Sequence, residues 1–303
     1  MKQDSISRIK IAVVGYGNVG HYAAQAVLSA PDMELAGILR SSSTAAIPEF
    51  PAVPVVKNIE ELGKVDAAIL CLPTRNVEER AVSYLEQGIS TVDSFDIHGD
   101  IYELKCVLDR AAKKGNARAV LASGWDPGSD SVIRALLEAC APRGLTYTNF
   151  GPGMSMGHSV AVRAIKGVEN AISMTIPACA GVHRRMVYVQ LLPGANIDEV
   201  RAAIKADPYF VKDETHVTQV DNIDDYMDVG HGVNMERRGT SGITSNQSFQ
   251  FSMRINNPAV TSQVMVSSAR AALRQAPGSY TLIELPVIDL LPGDRENIIR
   301  RLV

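Results

Sequence analysis

Ile9-Lys10-Ile11-Ala12-Val13-Val14-Gly15-Tyr16-Gly17-Asn18-Val19-Gly20 is the stretch that decides the fold. Its first half is a short run of mostly branched apolar residues, the pattern of a buried strand. Its second half is Gly-x-Gly-x-x-Gly, and residues 21–29 continue with helical periodicity up to Pro31. A glycine-rich turn between a strand and a helix is the context in which this motif cradles a dinucleotide. Gly15 permits the tight turn, Gly17 lets backbone approach a pyrophosphate, and Gly20 lets helix and strand pack closely. The helix start around Tyr16, Asn18 and Val19 then offers free N–H groups and partial positive charge to phosphate. The alternative for these residues is a glycine-rich turn with no ligand.

Outward from this stretch, strand-like runs at 9–14, 35–39, 67–72, 90–92 and 119–122 alternate with helical patterns at 21–29, 77–87 and 101–114. Alternation of this kind predicts βαβ units, a parallel sheet and helices on both of its faces. After Trp125 the strand-like runs lengthen and alternate, at 145–150, 168–176, 186–191 and 249–255, with helices at 197–206 and 258–275. Residues 230–246, rich in Gly, Ser, Thr and Asn, read as a long loop. The expected fold is therefore α/β: a Rossmann-like parallel-sheet domain over 1–124, then an α+β domain with a mostly antiparallel sheet over 125–269. Patterning alone does not place 270–303.

The end of the second strand selects the cofactor. An NAD site would carry an acid there for the ribose 2′-hydroxyl. The chain instead reads Leu39-Arg40-Ser41-Ser42-Ser43-Thr44. A guanidinium is a planar fork of donors that suits a 2′-phosphate, so the reading is NADP, with a solvated surface charge as the alternative for Arg40.

Composition narrows the rest. The 303 residues are 46% hydrophobic and 21% charged, with 30 basic and 33 acidic side chains giving a net charge of -3. That is the profile of a globular chain. It excludes a disordered one and shows no basic excess for nucleic acid. No apolar run approaches the ~20 residues of a membrane helix. The polar stretch Met1 to Lys10 lacks the core of a signal peptide, so a cytoplasmic protein is expected. Cys71, Cys106, Cys140 and Cys179 are widely spaced and read as buried small apolar residues, and the histidines show no paired metal spacing. No metal site is expected.

Three segments fall just beyond strand ends, where substrate groups of such folds gather. They are Thr91-Val92-Asp93-Ser94-Phe95-Asp96-Ile97-His98, Ser123-Gly124-Trp125-Asp126-Pro127-Gly128, and Asn149-Phe150-Gly151-Pro152-Gly153-Met154-Ser155-Met156-Gly157-His158. Carboxylates beside a nicotinamide would suit an ammonium-bearing substrate. Asp126 also fits a helix N-cap and Asp96 a turn, and the pattern leaves both open. Gly153-Met154-Ser155-Met156-Gly157 also matches the nucleophile elbow of α/β-hydrolases, which must sit directly between strand and helix. Here Gly-Pro-Gly follows the strand that ends at Phe150, which disfavours that rival.

Together, Gly-Tyr-Gly-Asn-Val-Gly, Val-Asp-Ser-Phe-Asp-Ile-His, Ser-Gly-Trp-Asp-Pro-Gly and Phe-Gly-Pro-Gly-Met-Ser-Met-Gly-His-Ser resemble the meso-diaminopimelate D-dehydrogenases. The likeness runs through Asn256-Asn257-Pro258 to Tyr280-Thr281-Leu282-Ile283-Glu284. It implies NADP-dependent, reversible oxidative deamination at the D-centre of meso-2,6-diaminopimelate, giving L-2-amino-6-oxopimelate and ammonia and feeding lysine and cell-wall precursors. It also implies a homodimer built on the second domain, and a chain end that returns to the cofactor domain.

By motif, the resemblance places Asp96 and Asp126 beside the reacting D-centre. Trp125 and Phe150 wall the pocket, Met156 and Gly157 meet the D-end, and Thr175, Arg185, His231 and Asn257 hold the distal L-end. Expected cofactor contacts are Gly15, Tyr16, Gly17, Asn18, Val19, Gly20, Arg40, Ser41, Ser42, Leu72, Pro73, Thr74, Phe95, Asp96, Pro127 and Gly128. Some members carry Trp at the position of Phe150, Gln at that of Met156, and a longer insertion between the equivalents of Ile176 and His183. Those departures predict tolerance of simpler D-amino acids. The alternatives are another NADP oxidoreductase, such as a semialdehyde dehydrogenase needing a nucleophilic Cys, or a non-catalytic NADP-binding sensor.

Overall fold

The computed structural model describes residues 8–227 and 230–303. The expectation of no signal segment rests largely on residues 1–7, which lie outside the described residues. The chain divides into two units, one of Met1–Ile133 with Pro258–Val303 and the other of Arg134–Asn257. The boundaries expected at 124/125 and 269/270 thus both shift toward the second unit.

The first unit is built on seven strands: β1 (Ile9–Val14), β2 (Met33–Leu39), β3 (Val55–Val56), β4 (Ala67–Leu70), β5 (Ser90–Asp93), β6 (Arg118–Val120) and, from the chain end, β14 (Gly278–Tyr280). Their order is β14-β6-β5-β4-β1-β2-β3, and every pair is parallel. The order reverses at β1, the point where such sheets open a crevice beyond their strand ends. Helices α1 (Asn18–Ser29), α2 (Val77–Glu86), α3 (Ile101–Lys114), the start of α4 (Ser129–Cys140), and later α7 (Asn257–Ala272) and α8 (Arg295–Leu302) complete it.

Two apolar layers sandwich the sheet. One gathers Ile11, Val13, Ile38 and Ile69 with Ala23, Ala24 and Val27 of α1 and Met265, Val266 and Ala269 of α7. The other gathers Ala12, Val14 and Leu70 with Leu85 of α2 and Leu104 and Leu108 of α3. This is why α7 belongs to the first unit: its small and apolar residues fill one face of that sheet.

The second unit carries two sheets. β7 (Arg143–Phe150), β12 (Gly230–Ser241) and β13 (Thr244–Asn256) form an antiparallel sheet in the order β13-β12-β7. β8 (Gly153–Met154), β9 (Val168–Cys179), β10 (Val182–Leu191) and β11 (Glu214–Gln219) form the other, in the order β11-β10-β9-β8. All its pairs are antiparallel except β10 with β11. Helices α5 (Met156–Arg163) and α6 (Ile197–Ala206) accompany it, with Val162, Val200 and Ile204 packed on Val187 and Val189.

The loop expected over 230–246 is instead the long hairpin of β12 and β13. Its buried face repeats with period two, through His231, Val233, Met235 and Arg237. The glycines that suggested a loop mark close strand approach: a Cβ at Gly232 would overlap the Met253 carbonyl, and one at Gly239 would crowd that of Arg143. Arg237 is buried because its guanidinium donates to the carbonyls of Ala141 and Pro142, and to Thr146 Oγ1. The reading of all four cysteines as buried is also corrected. Cys140 and Cys179 are exposed because each is the last residue of its helix or strand. Among the described residues no helix is long and apolar enough to cross a membrane.

Arg270 of α7 clamps the chain between α1 and β2. Its Nε and Nη2 donate to the two carboxylate oxygens of Asp32 at 2.5 and 2.6 Å, and its Nη1 donates to the Leu290 carbonyl at 2.9 Å. Those hydrogen bonds hold the Asp32 carboxyl below its usual range, with burial opposing them. A lowered folded-state pKa means the stabilisation is complete above the unfolded value near ~4 and is lost as pH falls through the folded value. Asp32→Ala leaves a buried guanidinium unpaired and should destabilise the protein by about 3 kcal/mol at neutral pH. Thermal melts should show the difference from wild type shrinking below about pH 4.

Candidate active site

The first unit positions its groups along the carboxyl ends of β1, β2, β4, β5 and β6. Gly15 leaves β1 with a φ of 95°, a left-handed conformation, and a Cβ there would overlap the Cys71 carbonyl. A Cβ at Gly20 would overlap the Gly15 carbonyl, so the close helix–strand packing needs both glycines. Gly17 differs: nothing lies within 4 Å of its Cβ position. It is the N-cap of α1, and no side chain caps that helix start among the described residues. Open space in front of uncapped amides fits a dinucleotide phosphate.

At the end of β2, the Arg40 guanidinium lies over the Tyr16 ring, 5.7 Å from its centroid. Ser41 and Ser42 follow it on the surface. The Tyr16 hydroxyl donates to Glu49 at 3.5 Å and lies 3.2 Å from His21 Nδ1, which is itself 3.1 Å from Glu49. Burial and then the Glu49 charge push the Tyr16 hydroxyl up. Glu49 and His21 had no part in the sequence reading, because Glu49 arrives from a loop outside any motif.

Beyond β4, Leu72 and Pro73 lead into Thr74, whose hydroxyl donates to Asp96 Oδ1 at 2.6 Å. Asp96 is exposed, whereas Phe95 before it is buried among Ala12, Val14 and Leu39. Beyond β6 the chain closes a tight loop. The Gly124 N–H donates to the Pro127 carbonyl at 3.0 Å, and Ser129 and Asp130 donate to the carbonyls of Gly124 and Trp125. Gly128 sits at a φ of 145°, where a Cβ would overlap the Gly124 carbonyl. Trp125 is buried and Asp126 half-buried in this loop. Helix α4 starts at Ser129, so its cap position falls on Gly128 and not on Asp126. The open choice at Asp126 is thereby narrowed.

In the second unit, Thr175 is the common neighbour. Its register partners are Gly153 of β8 and Arg185 of β10, and a Cβ at Gly151 would overlap its carbonyl. Arg185 donates through Nη1 to Thr175 Oγ1 and through Nε to Asp213 Oδ2 at 2.6 Å. A Cβ at Gly153 would overlap the Gly230 carbonyl and lie 2.6 Å from the His231 Cα. Phe150, Thr175, Arg185 and His231 are therefore drawn together around glycines 151 and 153. Asn257 ends the unit at the start of α7. Met156 and Gly157 open α5 and are half-buried.

The Phe150 N–H donates to His183 Nε2 at 2.8 Å, and the two rings lie 5.5 Å apart. Burial and then the Arg185 charge push His183 down. His183 and Asp213, which the motifs do not include, contact two of the expected site residues, Phe150 and Arg185. The run His183-Arg184-Arg185 at the start of β10 does not alternate, so the local sequence does not single out His183.

The hydrolase rival is corrected in one detail and excluded by another. A strand, β8, does directly precede Ser155, and α5 directly follows it. Ser155, however, has an extended backbone with φ -89° and ψ 116°, not the strained elbow of a nucleophile. The semialdehyde rival also lacks its thiolate at the crevice: burial pushes the Cys71 thiol up to about 12. Among the described residues no group of three or more His, Cys, Asp or Glu could hold a metal.

Comparison with known proteins agrees with this geometry. Residues 9–121 match the oxidoreductase family with an NAD-binding Rossmann fold. Residues 124–184 match the diaminopimelic acid dehydrogenase C-terminal domain. A meso-diaminopimelate D-dehydrogenase of Bacteroides fragilis is 57% identical over 299 residues, covering 98% of this chain and 100% of that protein. The solved structure of C. glutamicum DAP dehydrogenase in complex with DAP superposes with a TM-score of 0.91 at 28% identity, covering 98% and 100% of the two chains. An engineered D-amino acid dehydrogenase bound to NADP+ superposes with a TM-score of 0.86 at 27% identity, with the same coverage.

The glycine turn gives a direct test. Gly15→Ala forces a left-handed alanine against a carbonyl, so it should destabilise the protein by at least about 2 kcal/mol. Dinucleotide affinity, read by nicotinamide fluorescence, should fall together with the melting temperature. Gly17→Ala, placed in open space, should keep the melting temperature and weaken dinucleotide binding alone.

Proposed function

The chain belongs to the meso-diaminopimelate D-dehydrogenase family, and from that premise we propose that it oxidatively deaminates meso-2,6-diaminopimelate at its D-centre, using NADP. The products are L-2-amino-6-oxopimelate, ammonia and reduced cofactor, with one water consumed. The reverse reaction is reductive amination, in a lysine and diaminopimelate route. The observation that carries the reading is the pair Asp96 and Asp126, each just beyond the carboxyl end of one of the adjacent strands β5 and β6. That edge also carries the glycine turn.

The residues fit the cofactor: Gly17 leaves open space before uncapped helix amides, and Arg40 is braced on Tyr16. The nicotinamide, when bound, supplies the acceptor for the hydrogen lost from the substrate carbon. The NADP+ in the engineered relative supports the 2′-phosphate reading of Arg40. Asp96, steadied by the Thr74 hydroxyl, and Asp126 hold the reacting ammonium and take up its proton. Water then adds to the resulting imine carbon and ammonia leaves. Trp125 shields this end from bulk water.

In the second unit, Arg185 forks onto a carboxylate of the distal L-centre. Thr175 and His231 are placed beside it by their strands, and Asn257 completes that end. Met156, Gly157 and Phe150 line the D-end. Met156 is flexible and imposes no hydrogen bond, so substrates that lack the distal centre should still react, more slowly. We propose further that the protein works as a homodimer in the cytoplasm, assembled through the second unit. A sensor without turnover is the second reading, and the carboxylate pair speaks against it.

The decisive assay follows nicotinamide absorbance with NADP and separated diaminopimelate stereoisomers, alongside D- and L-alanine and D-phenylalanine. Turnover of the meso isomer, slower turnover of D-amino acids and none of L-amino acids is expected. Absence of turnover with every substrate would select the sensor. Asp126→Asn keeps size but loses the proton acceptor, so kcat/KM should fall by about 10²–10⁴-fold with NADP affinity unchanged.

Cofactor choice has its own test. Arg40→Asp removes a charge-assisted contact and adds repulsion, lowering efficiency with NADP by about 10–100-fold, or ~1.5–3 kcal/mol. Efficiency with NAD should change little. Equal use of NAD and NADP by the unaltered enzyme would refute the role of Arg40.

A further inference from the structure

Asp93 is the last residue of β5 and is completely buried. Its Oδ1 accepts the Phe95 N–H at 2.9 Å and the Ala122 N–H at 3.2 Å. Its backbone carbonyl accepts the Ser123 N–H at 2.8 Å. One residue thus fastens the chain at both points where it leaves the sheet toward a catalytic carboxylate. Phe95 directly precedes Asp96, and Ala122-Ser123 lead through Gly124-Trp125 into Asp126.

Ala122 gives the tie its use. Its φ of 51° is a left-handed conformation that non-glycine residues avoid. Hydrogen bonds from its own amide and the next one to Asp93 hold it there. The Ser123 hydroxyl donates to Ser268 of α7 at 2.5 Å, anchoring the same turn from the other side. The second oxygen, Oδ2, is buried with no hydrogen-bond partner among the described residues. Burial pushes the carboxyl up to about 6, against the two amides that draw it down. Such a group is unfavourable for folding alone, and a link serving stability alone would not need it.

We infer that Asp93 is a positioning residue for the reaction, setting the separation and direction of the loops that carry Asp96 and Asp126. The inference rests on the reading of those two carboxylates as the groups beside the reacting carbon. Asp93 itself touches no substrate.

Two variants of the full-length enzyme test it, with Asp126→Asn as reference. Asp93→Asn keeps one acceptor oxygen but loses the charge that strengthens both amide bonds. It should lower kcat by about 5–20-fold, with the Kd for NADP and the melting temperature close to wild type. Asp93→Ala removes the tie and should lower kcat by about 100-fold or more, again with the Kd for NADP within about twofold. If the alanine variant does not fold, the asparagine variant decides alone. A wild-type kcat in Asp93→Asn, or a loss explained by weaker NADP binding or partial unfolding, overturns the inference. Asp126→Asn separates the two failures. If it keeps full turnover, the reading of the carboxylate pair has failed and the positioning role falls with it. If it loses turnover while Asp93→Asn does not, only the positioning role has failed.

Discussion

The first unit depends on a close approach of backbone to backbone. The carbonyl of Gly15 occupies the space where a side chain on Gly20 would begin, and the carbonyl of Cys71 occupies the space where one on Gly15 would begin. Two strand ends, those of β1 and β4, and the start of α1 are thereby locked at van der Waals distance. The helix amides are then aimed beyond the sheet edge, uncapped. A larger residue at either position would lift α1 off β1 and remove the phosphate cradle along with the packing. The packing of α1 on the sheet requires these two glycines, while Gly17 faces open space and is free of that constraint.

The second unit repeats the device for a different purpose. Gly151 and Gly153 let the segment after β7 lie directly against Thr175 on one side and Gly230 with His231 on the other. Phe150, Thr175 and His231 come from three strands far apart in sequence, and only a chain without side chains at 151 and 153 can bring them so close. Gly232 extends the arrangement, since its carbonyl accepts the Gly151 N–H at 2.8 Å. Small residues here are packing instruments, which is why a glycine-rich stretch proved to be strand.

Legibility in the sequence followed the range of the interactions. The strand–glycine–helix element, the alternation of the first unit and the helices at 101–114 and 197–206 are local, and they could be read from neighbouring residues. The hairpin of β12 and β13 could not, because its buried alternation contains a His and an Arg whose satisfaction comes from elsewhere. Arg237 is buried only because the end of α4 supplies carbonyls nearly a hundred positions away. Asp96, Asp126 and Thr74 were legible as site residues, but the bond from Thr74 to Asp96 and the placement of Glu49, His183 and Asp213 arise from distant pairing. Asp93 lies within one of these motifs, but nothing local distinguishes a buried carboxylate from an exposed one.

The charge balance in the second unit follows from the same pairing. Arg185 is held between Asp213 and Thr175, and its positive charge bears on two neighbouring imidazoles. Burial, then that charge, pushes His158 down to about 4, and His183 moves the same way for the same causes. Both rings are then neutral at physiological pH, which their hydrogen bonds require. His183 Nε2 accepts an N–H from Phe150, and a protonated ring could not. His158 faces the Ser155 hydroxyl through Nδ1 at 2.8 Å, with Nε2 at 3.0 Å from the Tyr209 carbonyl. That carbonyl needs a donor, which fixes the proton on Nε2 and leaves Nδ1 to accept the Ser155 hydroxyl. Positive charge around these rings is thus concentrated on a guanidinium whose fork matches a carboxylate, while the imidazoles hold the walls. The acid of Asp213 orients that guanidinium without the rings competing for it. A carboxylate reaching this guanidinium would meet a directed donor and not a diffuse positive field, which is the property that the proposed role of Arg185 at the distal end requires.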